Sequence, residues 1–294
     1  MTRSKIRNAV MLAIAAFAGS VEAPKLAHAP LTVAAADLAD APSAITGAVT
    51  RVAANVTGSH LGFDTNVYPG AKAMAAWKRS DLYEWVGYYL KTACHKDDSW
   101  TGTRSTLVDQ GWGLAVLYVG QQTWGRKVKS TRTGKSSSVD CSSRYLTAGQ
   151  GKLDAKDAIA KATHEGFAPG TVIFLDIEYM DKLPTQMRSY YKAWTQTVLD
   201  NGKFRPGIYA HTHNASTIYD DVKALYTAAG ISDDPPFWIA SENGFSIDSP
   251  PTDVGHTFAA VWQGMLDVVR THNGVRLPID ISVASDPSPS IAVQ

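Results

Sequence analysis

The sequence predicts an α/β fold in which eight strands close into a (β/α)8-type TIM barrel. Two observations carry this prediction. After His60, short apolar or β-branched runs alternate with helix-like stretches, the pattern of parallel strands joined by crossover helices. Several of these runs are unbroken, as in Val172-Ile173-Phe174-Leu175, which is expected of strands covered on both faces. A doubly wound open sheet would also alternate, but no Gly-x-Gly-x-x-Gly turn follows the first strand.

In chain order, the expected strands are Leu61–Asp64, Trp85–Leu90, Leu114–Val119, Thr171–Ile177, Arg205–Ala210, Phe237–Ala240, Phe258–Gln263 and Leu277–Ile281. Helical periodicity fits Ala71–Arg79, Ala155–Glu165, Thr185–Asn201 and Thr217–Ala229, with Gly202 at a C-cap position and Pro184 near a helix start. Intervals after the sixth strand are short and poor in helical pattern, so an incomplete helix ring is expected in the last third. Thr123–Gly151, rich in Gly, Ser, Thr and Lys, is expected to be a long loop.

Ahead of the barrel, Arg3, Lys5 and Arg7 precede an apolar run from Ala9 to Gly19. That is the grammar of a secretory signal peptide, and the run falls well short of the roughly 20 apolar residues that span a bilayer. Residues 1–29 are therefore expected to be a signal peptide, 30–59 a linker or pro-segment, and 60–294 the folded domain. The expectation is a secreted, extracellular or cell-wall-associated monomer with no integral membrane span once the signal is removed. A net charge of +1 gives no electrostatic argument for nucleic acid or an anionic membrane as the partner. Cys94 and Cys141, the only two cysteines, are expected to form one disulfide in an oxidising compartment. Neither has a second Cys or His at ligand spacing, so no metal or cofactor is expected there.

In such a barrel the active site lies at the carboxyl ends of the strands. The polar residues found there are Asp64, Asp176 with Glu178, Tyr209 with His211, Glu242, Gln263 and Asp280. Asp176 and Glu178 share one face, with Cα atoms roughly 6.6 Å apart. Burial and mutual repulsion raise the pKa of at least one of them. One can then protonate a glycosidic oxygen while the other stays ionised beside the developing positive charge. A solvated strand end or a calcium site is the bland alternative, and the other strand-end acids weigh against it.

Tyr209 and His211 share a face suited to a hydroxyl or acetamido group. His213 would join them if the strand continued, giving a zinc-capable pair. Trp100, Trp112, Trp124, Trp238 and Trp262 are candidates for stacking on sugars, although strand tryptophans more often pack in cores, as expected of Trp85. Asn55-Val56-Thr57 and Asn214-Ala215-Ser216 match the N-glycosylation pattern.

Gly62-Phe63-Asp64-Thr65-Asn66, Met74-Ala75-Ala76-Trp77, Val86-Gly87-Tyr88-Tyr89-Leu90, Gly111-Trp112 and Tyr118-Val119-Gly120 together resemble the glycoside-hydrolase-like domain of secreted actinobacterial proteins. Ile173-Phe174-Leu175-Asp176-Ile177-Glu178, Gly207-Ile208-Tyr209-Ala210, Trp238-Ile239-Ala240, Trp262-Gln263 and Ile279-Asp280 are similar to the family-25 muramidases. The resemblance implies a retaining hydrolase of an N-acetylhexosamine-containing cell-wall glycan such as peptidoglycan. It makes Glu178 the acid/base, Asp176 the stabiliser of the intermediate, and Asp64 and Asp280 supporting acids. Tyr209, His211, Glu242, Trp262 and Gln263 are the expected substrate contacts. The alternative is a carbohydrate-binding or cell-wall-associated protein without turnover on the same barrel.

Overall fold

The structure, a computed structural model, describes residues 59–123 and 140–291. The expected signal peptide and linker, the Asn55 sequon and Trp124 lie outside the described residues. The chain runs β1 (His60–Asp64), α1 (Ala71–Lys78), β2 (Trp85–Leu90), α2 (Arg104–Asp109), β3 (Gly113–Val119), α3 (Ala148–His164), β4 (Val172–Ile177), α4 (Thr185–Asn201), β5 (Arg205–His211), α5 (Thr212–Ala228), β6 (Phe237–Ala240), β7 (Ala259–His272) and β8 (Val275–Ala284). Short 3-10 turns stand at Ser143–Tyr145 and Pro251–Val254. The strands close into a barrel in sequence order. Helices follow each of the first five strands, and no α-helix is found after β6 among the described residues, so the ring is incomplete in the last third.

One strand departs from the all-parallel expectation. β8 runs antiparallel to both β7 and β1. It returns from β7 through Asn273 and Gly274, both at positive φ (47° and 80°), as the two central residues of a tight hairpin require. Both strands are longer than expected, because beyond Gln263 they pair as a two-stranded ribbon.

Large aromatic rings fill the barrel. Trp85 and Phe174 each meet Trp238 edge-on, with centroids 5.4 and 5.8 Å away, and all three are fully buried. Because side chains alternate along a strand, Phe63 points outward from β1, against Trp77, Tyr83 and Trp112. Trp77 also donates its indole N–H to the Val275 carbonyl, tying α1 to the start of β8.

α3 begins at Ala148, not Ala155, inside the expected loop. Thr147 caps it by accepting from the Gln150 N–H. Gly151, which reads as a loop residue, is a helix contact: a Cβ there would lie 2.2 Å from the Tyr190 carbonyl oxygen on α4. α5 likewise begins at Thr212, five residues before the expected Thr217, so His213 lies in its first turn rather than on β5. Cys94 and Cys141 form the expected disulfide, with Cα atoms 4.7 Å apart. Among the described residues, no helix is long and apolar enough to cross a membrane.

Candidate active site

The carboxyl ends of the parallel strands surround a cavity of about 440 Å³. Asp64, Tyr89, Asp176, Glu178, Tyr209, Gln263 and Asp280 line it, with Asn66 and the His95-Lys96-Asp97 segment forming a further wall. Asp64 ends β1 and Asp176 lies near the end of β4, paired with Tyr209 of β5. Asp280 arrives differently. It was expected at the carboxyl end of its own strand but lies in the interior of β8, and only the antiparallel direction of β8 brings it opposite Asp64.

A hydrogen-bonded relay orders these groups. Tyr209 donates its hydroxyl to Gln263 Oε1 (2.6 Å). The Gln263 amide then donates to Asp64 Oδ2 (2.9 Å) and, more weakly, to Asp280 Oδ2 (3.4 Å). Tyr89 donates to the other Asp64 oxygen at 2.6 Å, and the Asp267 backbone N–H donates to Asp280 Oδ1 at 2.6 Å. Burial raises both tyrosine pKa values well above the usual value, and nearby carboxylates add to the shift, so both remain donors.

The carboxyls compete for charge. Burial, followed by the charge of Asp280, pushes Asp64 up to about 8, against the pull of the Tyr89 and Gln263 bonds. Burial pushes Asp280 up to about 6, although the Asp267 N–H holds it down in part. Asp176 is raised well above the ordinary carboxylate value by burial, then by Glu178 and Asp64. Its Oδ1 is buried and accepts no hydrogen bond from the described residues. Glu178 is only half-buried. Asp64 therefore holds a proton near neutral pH, and burial biases Asp176 the same way.

Two features outside the expected set position these acids. Gln122, which is buried, donates its amide to the Asp176 carbonyl (2.9 Å) and accepts the Glu178 N–H (3.1 Å). It thus clamps the backbone on both sides of the acidic pair. Gly87 lies beside Asp64, and a Cβ there would come 2.6 Å from the Asp64 Cβ. Gly87→Ala is expected to lower stability by about 1–3 kcal/mol, the usual cost of overpacking, read as a lower midpoint in thermal unfolding.

Not every expected contact reaches the cavity. Trp262 is fully buried, packs edge-on against Phe245 and donates its indole N–H to the Ser241 carbonyl, so it presents no face to a sugar. Its neighbour Gln263 faces the cavity, and adjacent strand residues point to opposite sides. Trp100, Trp112 and Trp238 are likewise buried. Glu242 is exposed on the loop after β6 and does not line the cavity. His211 is also outside the lining: its Nδ1 caps α5 by accepting the His213 N–H (3.1 Å). With His213 on the helix, the same-face pair needed for zinc does not form. Among the described residues, no group of three or more His, Cys, Asp or Glu is placed to hold a metal ion. Tyr89 and Gln122 were missed, yet they follow from asking of strands two and three what was asked of the others: which polar residue stands at the carboxyl end.

No curated protein is detectably similar in sequence. Among solved structures, the chain is similar in fold to an uncharacterized B. stearothermophilus protein, at 17% identity and TM-score 0.53 over 76% of this chain and 95% of that one. It is also similar to the spore cortex lytic enzyme SleM of Clostridium perfringens, at 13% identity and TM-score 0.50 over 78% and 68%. GHIP, a glycosyl hydrolase 25 of Streptococcus pneumoniae, matches at 14% identity and TM-score 0.50 over 77% and 87%. The sequence profile of the Rv2525c-like, glycoside hydrolase-like domain matches residues 75–284. That match runs from within α1 to the end of β8 and takes in Asp176, Glu178 and Asp280, with β1 and Asp64 ahead of it, and the chain belongs to the Rv2525c-like, glycoside hydrolase-like domain family.

Proposed function

We propose that this chain is a secreted hydrolase of an N-acetylhexosamine-containing cell-wall glycan, with peptidoglycan as the leading candidate. The observation that carries the reading is the gathering of Asp64, Asp176, Glu178 and Asp280 around one cavity. Family membership supports it, as does a fold shared with a spore cortex lytic enzyme and a glycosyl hydrolase 25.

In this reading Glu178, half-buried where water and substrate can reach it, protonates the glycosidic oxygen as the bond breaks. Positive charge develops at the anomeric carbon, and the adjacent acetamido oxygen or a carboxylate takes it up. Asp176 stands beside that charge as a carboxylate, since an opposite charge favours the ionised form, and the proton it carried in the free protein passes to solvent as the sugar seats. Glu178 then deprotonates the incoming water, and configuration is retained. Asp280, joined to Asp64 through Gln263, carries the remaining negative charge below the sugar.

The rival reading, a carbohydrate-binding or cell-wall-associated protein without turnover on the same barrel, predicts binding with no product. The deciding experiment measures reducing ends released from purified peptidoglycan by the wild type and by Glu178→Gln. Equal release by the two proteins would overturn the assignment.

A further inference from the structure

We infer that Tyr179 and His211 form a sugar subsite on the β4–β5 rim of the cavity, which takes the apolar face of an uncharged N-acetylhexosamine. The inference rests on the hydrolase reading above and extends it to how a neighbouring unit of the glycan is held.

Tyr179 is the one Phe, Tyr or Trp side chain among the described residues that is exposed, at 40%. It follows Glu178 directly in the chain. Strand register places its main contact at the same height: Asp176 pairs with Tyr209 and Ile177 with Ala210, so Glu178 comes level with His211. His211 lies two residues beyond Tyr209 and shares its face, above the cavity wall. The Tyr179 ring meets His211 edge-on at 4.9 Å, so the exposed ring and the end of β5 stand together on this rim.

The ring is also held in place. Its hydroxyl donates to Asp181 Oδ1 at 2.8 Å, and His213 lies 5.6 Å from it on the other side. His213 in turn reaches the Asp181 carbonyl oxygen at 3.2 Å through its Nε2. A platform fixed in advance loses little conformational freedom when a ligand stacks on it. Capping of α5 does not explain this arrangement, because His211 Nδ1 alone accepts the His213 N–H.

The chemistry selects the ligand. With Nδ1 accepting, a neutral His211 carries its proton on Nε2 and offers a donor beside the ring. Burial and the neighbouring His213 lower the His211 pKa and so favour that neutral form. Aromatic face plus neutral donor suits the C–H face and hydroxyls of a pyranose. The Asp181 carboxylate beside the ring disfavours a unit that bears its own carboxylate.

The test measures calorimetric binding of an N-acetylglucosamine tetramer to full-length Glu178→Gln, which can bind substrate without consuming it. Adding Tyr179→Ala or Tyr179→Leu is expected to weaken affinity about tenfold, whereas Tyr179→Phe, which keeps the ring, costs less than about threefold. Unchanged affinity in both the Ala and Leu variants overturns the subsite. If wild type releases reducing ends from peptidoglycan while tetramer affinity ignores Tyr179, the subsite alone fails. If wild type neither cleaves peptidoglycan nor binds the tetramer, the hydrolase reading fails and the subsite with it.

Discussion

Glu178→Gln is expected to lower the release of reducing ends from peptidoglycan by about 10²–10⁴-fold, the range that one general acid/base group contributes. The substitution keeps the shape of the side chain, and the Gln122 clamp binds the backbone N–H of residue 178, so both survive it. What is lost is the proton. The fall should appear in kcat with little change in KM, because the missing interaction belongs to the transition state rather than to binding. A variant with lowered kcat but an unchanged melting temperature separates chemistry from folding. A loss that appears only in KM would point to a binding role for Glu178.

Acidification from about pH 8 to about pH 5 is expected to raise the melting temperature, contrary to the usual behaviour of proteins whose carboxylates are ion-paired. The sign follows from Asp64, whose pKa is about 8 in the folded chain against 3.8 for an ordinary aspartate. Between those values the folded state holds a proton that the unfolded state has released. Its contribution to stability is complete below about 3.8 and is lost as pH rises through about 8. A single such proton changes stability by at most about 1.4 kcal/mol per pH unit. Asp176 and Asp280 are shifted in the same direction and so add to the slope. Asp64→Asn, which cannot ionise, should flatten the profile and be more stable than wild type at pH 8. Thermal melts across that range check the prediction, and a wild-type midpoint that rises with pH would contradict the shared protonation of the cavity.

Most of the barrel was legible because burial on both faces leaves an unbroken apolar run, as at Val172–Leu175, and such a run says where a strand is. It does not say which way the strand points. β8 was read as one more parallel strand, and the signal that would have reversed it, Asn273-Gly274 between two β-rich runs, was passed over. α2 was missed because its six residues bury only Leu107 and so leave no helical period to detect. α3 was begun too late because Gly149 and Gly151 look like loop residues when the close approach of α4 is not in view.

The strand-end rule found the four acids, Tyr209 and Gln263. Trp262 came from the stacking argument, and its misplacement was avoidable, since Trp262 and Gln263 are adjacent on one strand and cannot both face the cavity. The strand-end rule set Glu242 and His211 on the cavity lining, and that misplacement was not avoidable. Where a chain turns after leaving a strand depends on loop and helix-cap geometry, and His211 is diverted by the start of α5.

The direction of β8 also bears on when the site comes into being. Residues 275–284 pair with both β7 and β1, so until they dock the growing sheet has two open edges. Asp64 then lacks Asp280, its partner from more than 200 residues later in the chain. Local hairpin formation at Asn273-Gly274 can lay β8 on β7 quickly, but the β8–β1 pairing waits on the slowest kind of contact, one between distant parts of the chain. The complete acidic cavity is therefore expected among the last features to form during folding, because Asp64 and Asp280 meet only when the barrel shuts.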